Sequence, residues 1–463
     1  MKMEEYLDEL KGQIRDKYAK EFVADEVRAH IEDQSEAYEE DGLSYEDAVS
    51  KAVAEMGDPV SVGVDLDRIH RPHMEWRFLL YVFFMAVLNL GVQYIVNRNM
   101  SVETGAGILD NLSRVSILQT VIGFAAMLGV YRLDYTILAG RSRMIGAAYL
   151  ATLTILSFLF GESLNGMTYW IKIGMLSVPV FALMVLYLPA FAGILYEYRG
   201  KGRAAIVKIA IWMFAPVLLQ RIAGYISFTA SLFIVVSEIL LFGIALRKDW
   251  YAVGKRKVAA CGAGAFVLLV SVALVRAYSF NNYQSDRLKN WLAHFGIGSY
   301  ASDADFTINY VNSMLGKIFA KSSLIGGSDE AIAIWRMIPS YRSNCMILGA
   351  VSANCGLIWM IVIIACLTVL SGYVFRISLR QKNSLGCIVG CSCGVAISLQ
   401  SLSSILIVFS FLPLTDSVLP FFAGGLSFTA VDYVLLGLVL SIYRYKDIRR
   451  EKQAANLALR RVE

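Results

Sequence analysis

Ten apolar runs dominate this chain: 75–96, 114–131, 144–160, 177–196, 204–220, 226–246, 258–278, 346–373, 384–411 and 422–443. A helix needs about 17 to 25 apolar residues to cross the hydrocarbon of a bilayer, and each run reaches that length. Backbone groups in lipid must pair within their own segment, so such runs fold as helices. The composition agrees: 57% of the 463 residues are hydrophobic and 17% charged, with a mean hydropathy of +0.54, which fits no soluble chain. The expected fold is all-α, a polytopic membrane protein with about ten transmembrane helices preceded by a small soluble helical bundle. The fifth run is the weakest, since it begins beside Lys208 and ends at Gln220 and Arg221. The stretch from there to Leu246 is nevertheless too long for one crossing.

Basic residues test the count, because Lys and Arg collect in cytoplasmic loops. Arg132, Arg141 and Arg143 follow the second run, Arg199, Lys201 and Arg203 the fourth, and Arg247, Lys248, Lys255, Arg256 and Lys257 the sixth. Arg376, Arg380 and Lys382 follow the eighth, and Arg444, Lys446, Arg449, Arg450 and Lys452 the tenth. All of these clusters fall on one side. Both termini are then expected in the cytoplasm, and the long connection 279–345 outside. Three parts are predicted: an acidic helical prefix domain over 1–73, a membrane domain over 74–445 and a basic cytoplasmic tail over 446–463.

The prefix carries 9 Lys/Arg against 20 Asp/Glu, and the remainder 34 against 18. The soluble part is acidic and the positive charge is dispersed over short loops, which argues against nucleic acid as a partner. The first apolar run starts near residue 76 behind this charged head, so no cleavable signal peptide is expected. Leu7, Leu10 and Ile14, then Phe22, Val23, Val27 and Ile31, recur at helical spacing,. Ser44 can cap a helix whose third residue is Asp47; Ala48, Ala52 and Val53 form one face, and Gly57 with Pro59 stops it. The acidic hairpin followed by EDAVSKAVAEMGDP resembles the permease prefix (HAAS) domain that precedes bacterial membrane proteins, which implies docking or regulation through an unidentified cytoplasmic partner.

The seven cysteines lie in or beside apolar stretches, where paired exterior positions would be needed for a disulfide framework,. They are expected to be packing residues. Cys387, Cys391 and Cys393 have no nearby His and make a poor zinc site.

Three exterior segments share a pattern. GESLNGMTYWIKIG contains Trp170, Lys172 and Gly174; NYQSDRLKNWL contains Tyr283, Gln284 and Arg287; FLPLTDSVLPFFAGGLS contains Pro413, Thr415, Pro420, Phe421, Gly424 and Gly425. On a ten-span frame, in this order, they resemble the SEDS proteins (shape, elongation, division and sporulation), the FtsW/RodA/SpoVE family. YWIKIG is similar to the family's Arg-Trp-Ile-x-x-Gly, YQSDRL to its Tyr-Gln-x-x-Arg-Ile/Leu, and PLTDSVLPFFAGGLS to its Pro-rich Gly-Gly motif with a residue missing. The resemblance spans residues 75 to 445. It implies a bacterial plasma-membrane protein of cell-wall synthesis, division or shape, a glycosyltransferase polymerising lipid II outside the membrane, and a class B penicillin-binding protein as partner. Trp170, Lys172, Arg287, Pro420, Gly424 and Gly425 would bind substrate, with Lys172 and Arg287 facing the pyrophosphate.

The sequence departs from the family at its base. The family's Pro-Glu-x-His-Thr-Asp segment matches IPSYRSNCMILGAVSANCGLIW, where either Asn344 or Cys345 occupies the Asp position. Neither is a carboxylate, and an amide has no usable pKa for proton abstraction. The expected protein is therefore a degenerate relative. A relocated acid would have to come from Glu162, Asp303, Asp305, Asp329, Glu330 or Asp416, of which Asp416 is nearest to a family motif. A divalent metal would be implied only for an active enzyme. Arg221, Glu238 and Asp432 are polar residues inside the spans and should face the bundle interior. They serve polar coupling between helices or, alternatively, a lipid or ion transporter. A precursor-binding scaffold or sensor remains the other alternative.

Overall fold

The computed structural model describes residues 1–70, 73–100, 106–164, 167–174, 176–222, 228–251, 254, 262, 289, 291–297, 308–338, 346–412, 418–422 and 424–446. Contacts divide the chain into two units, one of Met1–Glu75 with Gln381–Asn383 and Ile442–Glu463, the other of Trp76–Arg380 and Ser384–Ser441.

The amino-terminal unit contains four helices: α1 (Met3–Gln13), α2 (Lys17–Glu40), α3 (Tyr45–Glu55) and α4 (Pro59–His70). Their apolar stripes close on one another, burying Leu7, Leu10, Ile14, Val23, Val27, Ile31, Ala48, Ala52 and Val53. Phe22 is only half-buried. The Ser44 cap forms as the sequence predicts. The Asp47 N–H donates to Ser44 Oγ at 3.3 Å, and that hydroxyl donates to Asp47 Oδ2 at 2.6 Å. Asp67, nearly buried on α4, accepts the backbone N–H of Arg15 at 2.9 Å and ties α4 to the α1–α2 turn.

The second unit is a multi-pass membrane bundle. Its helices are α5 (Trp76–Met100), α6 (Ala106–Arg132), α7 (Ser142–Phe160), α8 (Val180–Val185), α9 (Tyr187–Glu197), α10 (Arg203–Ile222), α11 (Phe228–Arg247), α12 (Ile308–Lys321), α13 (Asp329–Arg336), α14 (Ile347–Cys355), α15 (Leu357–Leu379), α16 (Ser384–Val408) and α17 (Leu426–Arg444). Among the described residues, eight helices are long and apolar enough to cross a membrane, and Ala204–Leu219 in α10 is a shorter apolar helix. The predicted run 258–278 lies outside the described residues.

Two departures from the sequence expectation reshape the end of the bundle opposite the basic helix termini. First, the all-α expectation omits a three-stranded antiparallel sheet, β1 (Gly161–Leu164), β2 (Met167–Ile173) and β3 (Leu176–Pro179), inserted between α7 and α8. Second, the predicted span 346–373 is two helices. All nine residues of α14 are buried, and the chain breaks at Gly356 before the true crossing, α15. Residues 322–328 lie across this break. Gly326 N–H reaches Cys355 O at 2.9 Å, Ser328 N–H reaches Ala353 O at 3.0 Å, Leu357 N–H reaches Ser323 O at 3.0 Å, and Ile358 N–H reaches Leu324 O at 3.1 Å. Gly356 has φ +99°, and a Cβ there would sit 2.7 Å from Leu324 O, so only glycine fits.

The core of the bundle is α16, buried along most of its length between α15, α9 and α11. Small residues make this approach possible, as in other helix packing in lipid. A Cβ on Gly390 would collide with Ser378, and one on Gly394 would press on the Phe375 ring. Cys387, Cys391 and Cys393 are buried on the same helix with free thiols.

Candidate functional site

The approach to α17 is an irregular segment that includes Pro420, Phe421, Phe422, Gly424 and Gly425. Non-helical backbone at membrane depth persists only where protein satisfies its polar groups, and here four side chains from four helices do so. Gln93 of α5 donates to Phe422 O at 2.6 Å. Gln119 of α6 accepts from Gly425 N–H at 3.4 Å, and Gln400 of α16 donates to Val418 O at 3.3 Å. Asp432, one per cent exposed on α17, accepts from Phe421 N–H through Oδ2 at 3.0 Å. Phe421 has φ +65°, a left-handed conformation costly for an aromatic residue. The Asp432 bond and an edge-on contact of its ring with Tyr433, 5.6 Å between centroids, hold it there.

The sheet lies beside this segment. Ser427 Oγ, in the first turn of α17, donates to Ser177 O of β3 at 3.4 Å, and Ser177 is the register partner of Lys172 on β2. Lys172 thus stands on the middle strand, one strand removed from the start of α17. Its Nζ is 2.8 Å from Glu162 Oε1 on β1, both side chains being about half exposed. Such a pair contributes at most about 1 kcal/mol to stability; chemically, it sets a carboxylate against the cation. Trp170 is partly exposed on the same strand, in tilted contact with Tyr169.

A polar cluster lies where α5, α13 and α14 meet. Asn99 Nδ2 donates to Asn354 Oδ1 at 2.7 Å, and Arg336 donates through Nε and Nη2 to Asn99 O at 3.0 and 2.6 Å.

The structure pairs Lys172 with Glu162 on the sheet that carries Trp170, and sets Asp432 on the segment of Pro420, Gly424 and Gly425; the Ser427–Ser177 bond joins sheet and helix. It places Glu238 apart, fully buried on α11, with no hydrogen-bond partner for either oxygen among the described residues. Asp329 and Glu330 lie on α13, where Glu330 pairs with Lys321 at 2.9 Å. Arg287, Asn344, Cys345, Asp303, Asp305, Asp416 and the side chain of Arg221 lie outside the described residues. Among the described residues no three His, Cys, Asp or Glu gather in a metal-binding group. The residues missed from sequence are Gln93, Gln119, Gln400, Asn99 and Arg336. The signal was present: three glutamines inside apolar runs need internal partners.

Residues 77–448 match the family model of the FtsW/RodA/SpoVE cell cycle proteins. Among solved structures, a chain from a study titled for the structural coordination of polymerization and crosslinking by a peptidoglycan synthase complex superposes with a TM-score of 0.62. It is 17% identical, and the match covers 80% of this chain and 98% of that one. A point mutant of the Thermus thermophilus rod shape determining protein RodA follows, with a TM-score of 0.54, 14% identity and coverage of 81% and 98%. No curated protein sequence matches. At these identities the structural likenesses establish the fold, and the family match establishes membership: this chain belongs to the FtsW/RodA/SpoVE family of cell cycle proteins.

Proposed function

We propose that this protein binds a lipid-linked glycan precursor of the lipid II kind on the exterior face of a bacterial plasma membrane, in cell-wall synthesis, division or shape, and has lost the family's own route of polymerisation. One contrast carries the reading. The segment before α17 keeps four side-chain anchors on its main chain, while the position of the family's base reads Asn344 or Cys345. Gly424 and Gly425, both half-buried, bring the chain without side chains to the amino terminus of a nineteen-residue helix. The helix dipole favours an anion there, and Lys172 on the sheet, held by the half-exposed Glu162, can exchange that carboxylate for a second anion. A pyrophosphate fits that combination, and Trp170 offers a flat apolar surface for the sugar or polyprenyl part.

The distribution of basic residues supports a reading with both termini in the cytoplasm. The acidic four-helix head is then available to a cytoplasmic partner, and the proposed membrane partner is a class B penicillin-binding protein, a reading supported by likeness to a chain of a peptidoglycan synthase complex.

The test uses purified full-length protein with labelled lipid II and divalent metal. Binding without glycan product is expected, with Lys172→Ala weakening binding about tenfold, the worth of one charge-assisted hydrogen bond. Steady polymerisation by the unaltered protein overturns the loss of catalysis. A second reading has its own observation: Glu162 stands 2.8 Å from Lys172, where a relocated base would be useful. Under that reading Glu162→Gln abolishes product.

A further inference from the structure

At the basic end of the bundle, the turn between α9 and α10 carries an aromatic ring flanked by two cations. Tyr198 is buried just past the end of α9; Arg143 of α7 lies 5.6 Å and Lys201 5.4 Å from its ring centre, within the range of cation–π attraction. Glu197, its side chain nearly buried, fixes Arg143: Oε1 accepts the backbone N–H at 3.3 Å and Oε2 accepts Nε at 2.5 Å. Both oxygens of that carboxylate are thus spent on one residue. The Arg143 side chain nevertheless stays half exposed, and a guanidinium has donors beyond Nε for a second anion. Lys201 is exposed, and among the described residues no carboxylate pairs with it. The support beneath these cations is firmly tied. Gly200 N–H donates to Trp250 O at 2.8 Å, the Tyr251 hydroxyl donates to Leu195 O at 2.9 Å, and buried Trp250 meets Tyr196 edge-on with ring centres 6.0 Å apart. Arg199 in turn lies 5.6 Å from the Trp250 ring. The segments 141–143, 197–201 and 248–251 together hold five Lys/Arg and two Asp/Glu, so an uncompensated positive charge gathers on a prepared surface.

The neighbouring apolar surface decides which anion fits. The candidate spans Ser142–Phe160 and Val180–Glu197 each have one end here. Met144, next to Arg143, and Val207 and Ile211 on α10 are exposed large hydrophobic residues. The two helices are close at this level: a Cβ on Gly146 of α7 would come 3.0 Å from Ile194 of α9 and 3.7 Å from Trp212 of α10. Cations at the end of a span, continuous with exposed apolar side chains, match a molecule with a charged head and hydrocarbon chains; a soluble phosphate would leave the apolar part unused. We propose that Arg143 and Lys201, on either side of the Tyr198 ring's attachment to α9, bind the phosphodiester headgroup of an anionic phospholipid in the leaflet at the basic end of the bundle, with its acyl chains along α7 and α10. A lipid held there joins the ends of α7, α9 and α10, at the opposite end of the bundle from the segment before α17.

The test titrates the detergent-solubilised full chain with phosphatidylglycerol or with phosphatidylcholine of the same acyl chains, and reads bound lipid by native mass spectrometry. Phosphatidylglycerol is expected to bind about tenfold or more tightly than phosphatidylcholine, each cation at a lipid surface being worth about fivefold. Lys201→Gln, at an exposed side chain, should weaken phosphatidylglycerol about fivefold while leaving phosphatidylcholine binding and the melting temperature unchanged. Lys201→Arg, which retains the charge, should bind within about twofold of the unaltered protein, and Arg143→Gln combined with Lys201→Gln should abolish the preference between the two lipids. Inorganic phosphate should not displace the lipid. Equal affinity of the unaltered protein for both lipids, or undiminished phosphatidylglycerol binding in Lys201→Gln, would overturn the site; displacement by inorganic phosphate would overturn its assignment to a lipid in favour of a free anion.

Discussion

The carboxylate of Asp432 and the backbone N–H of Phe421 meet at 3.0 Å in the interior of the bundle, eleven positions apart in sequence. A helix side chain thus holds a left-handed aromatic residue in the segment that carries the family's Pro-Phe-Gly-Gly pattern. Asp432→Ala leaves that N–H buried and unpaired, and is expected to cost about 1–3 kcal/mol. Asp432→Asn keeps an acceptor oxygen and should cost less. Thermal unfolding in detergent, with limited proteolysis of residues 412–425, separates the two; equal losses would show that charge rather than the hydrogen bond matters.

Gly356→Ala meets two penalties together: a positive φ of +99° and a Cβ placed 2.7 Å from Leu324 O. The expected loss is about 1–3 kcal/mol or more. It should appear as a lower melting temperature and faster amide exchange at Gly326 and Leu357, whose N–H groups bridge the break. An unchanged exchange rate at those two amides would contradict the packing described for the break.

Glu238 presents the opposite case. Its two oxygens have no partner among the described residues and its surroundings are closed. Replacing a buried unsatisfied polar group by an apolar one of similar length is stabilising. Glu238→Met should raise the melting temperature, by the equivalent of about 1–3 kcal/mol. A fall instead would indicate that the carboxyl is needed, as a transporter would need it, and ion flux in proteoliposomes would then be the measurement to make.

In the acidic head, Tyr38 donates its hydroxyl to Glu55 Oε2 at 2.6 Å, and this bond raises its pKa above the usual 10. Loss of the proton would break the bond. The contribution is present below pH 10 and disappears as pH climbs through the raised folded value. Ultraviolet difference titration of the unaltered protein against Glu55→Gln should show one tyrosine ionising earlier in the variant, moved back toward 10.

How much of this was legible beforehand depended on which physical signal each feature carries. Spans such as Leu357–Leu379 and Ser384–Val408 follow from apolar length alone, and the Ser44 cap follows from local chemistry. The sheet is not anticipated because TYWIKI falls between the predicted spans 144–160 and 177–196, although its aromatic and β-branched residues are a strand signal. The break at Gly356 was hidden because apolar periodicity does not distinguish a buried half-helix from a crossing. The site was legible where motif residues lie in one segment, as with Pro420, Gly424 and Gly425. It was illegible where distant helices supply the anchors: Gln93 and Phe422 are 329 positions apart.

The strap of residues 322–328 across the junction of α14 and α15 has a mechanical consequence. Two main-chain bonds fasten the α12–α13 connection to α14, a helix with no exposed residue, and two more fasten it to the start of α15; Trp335 of that hairpin, itself buried, packs against Gly349 of α14. The hairpin is thereby a rigid extension of the bundle interior, and the Asn354–Asn99 hydrogen bond carries the same connection on to the end of α5.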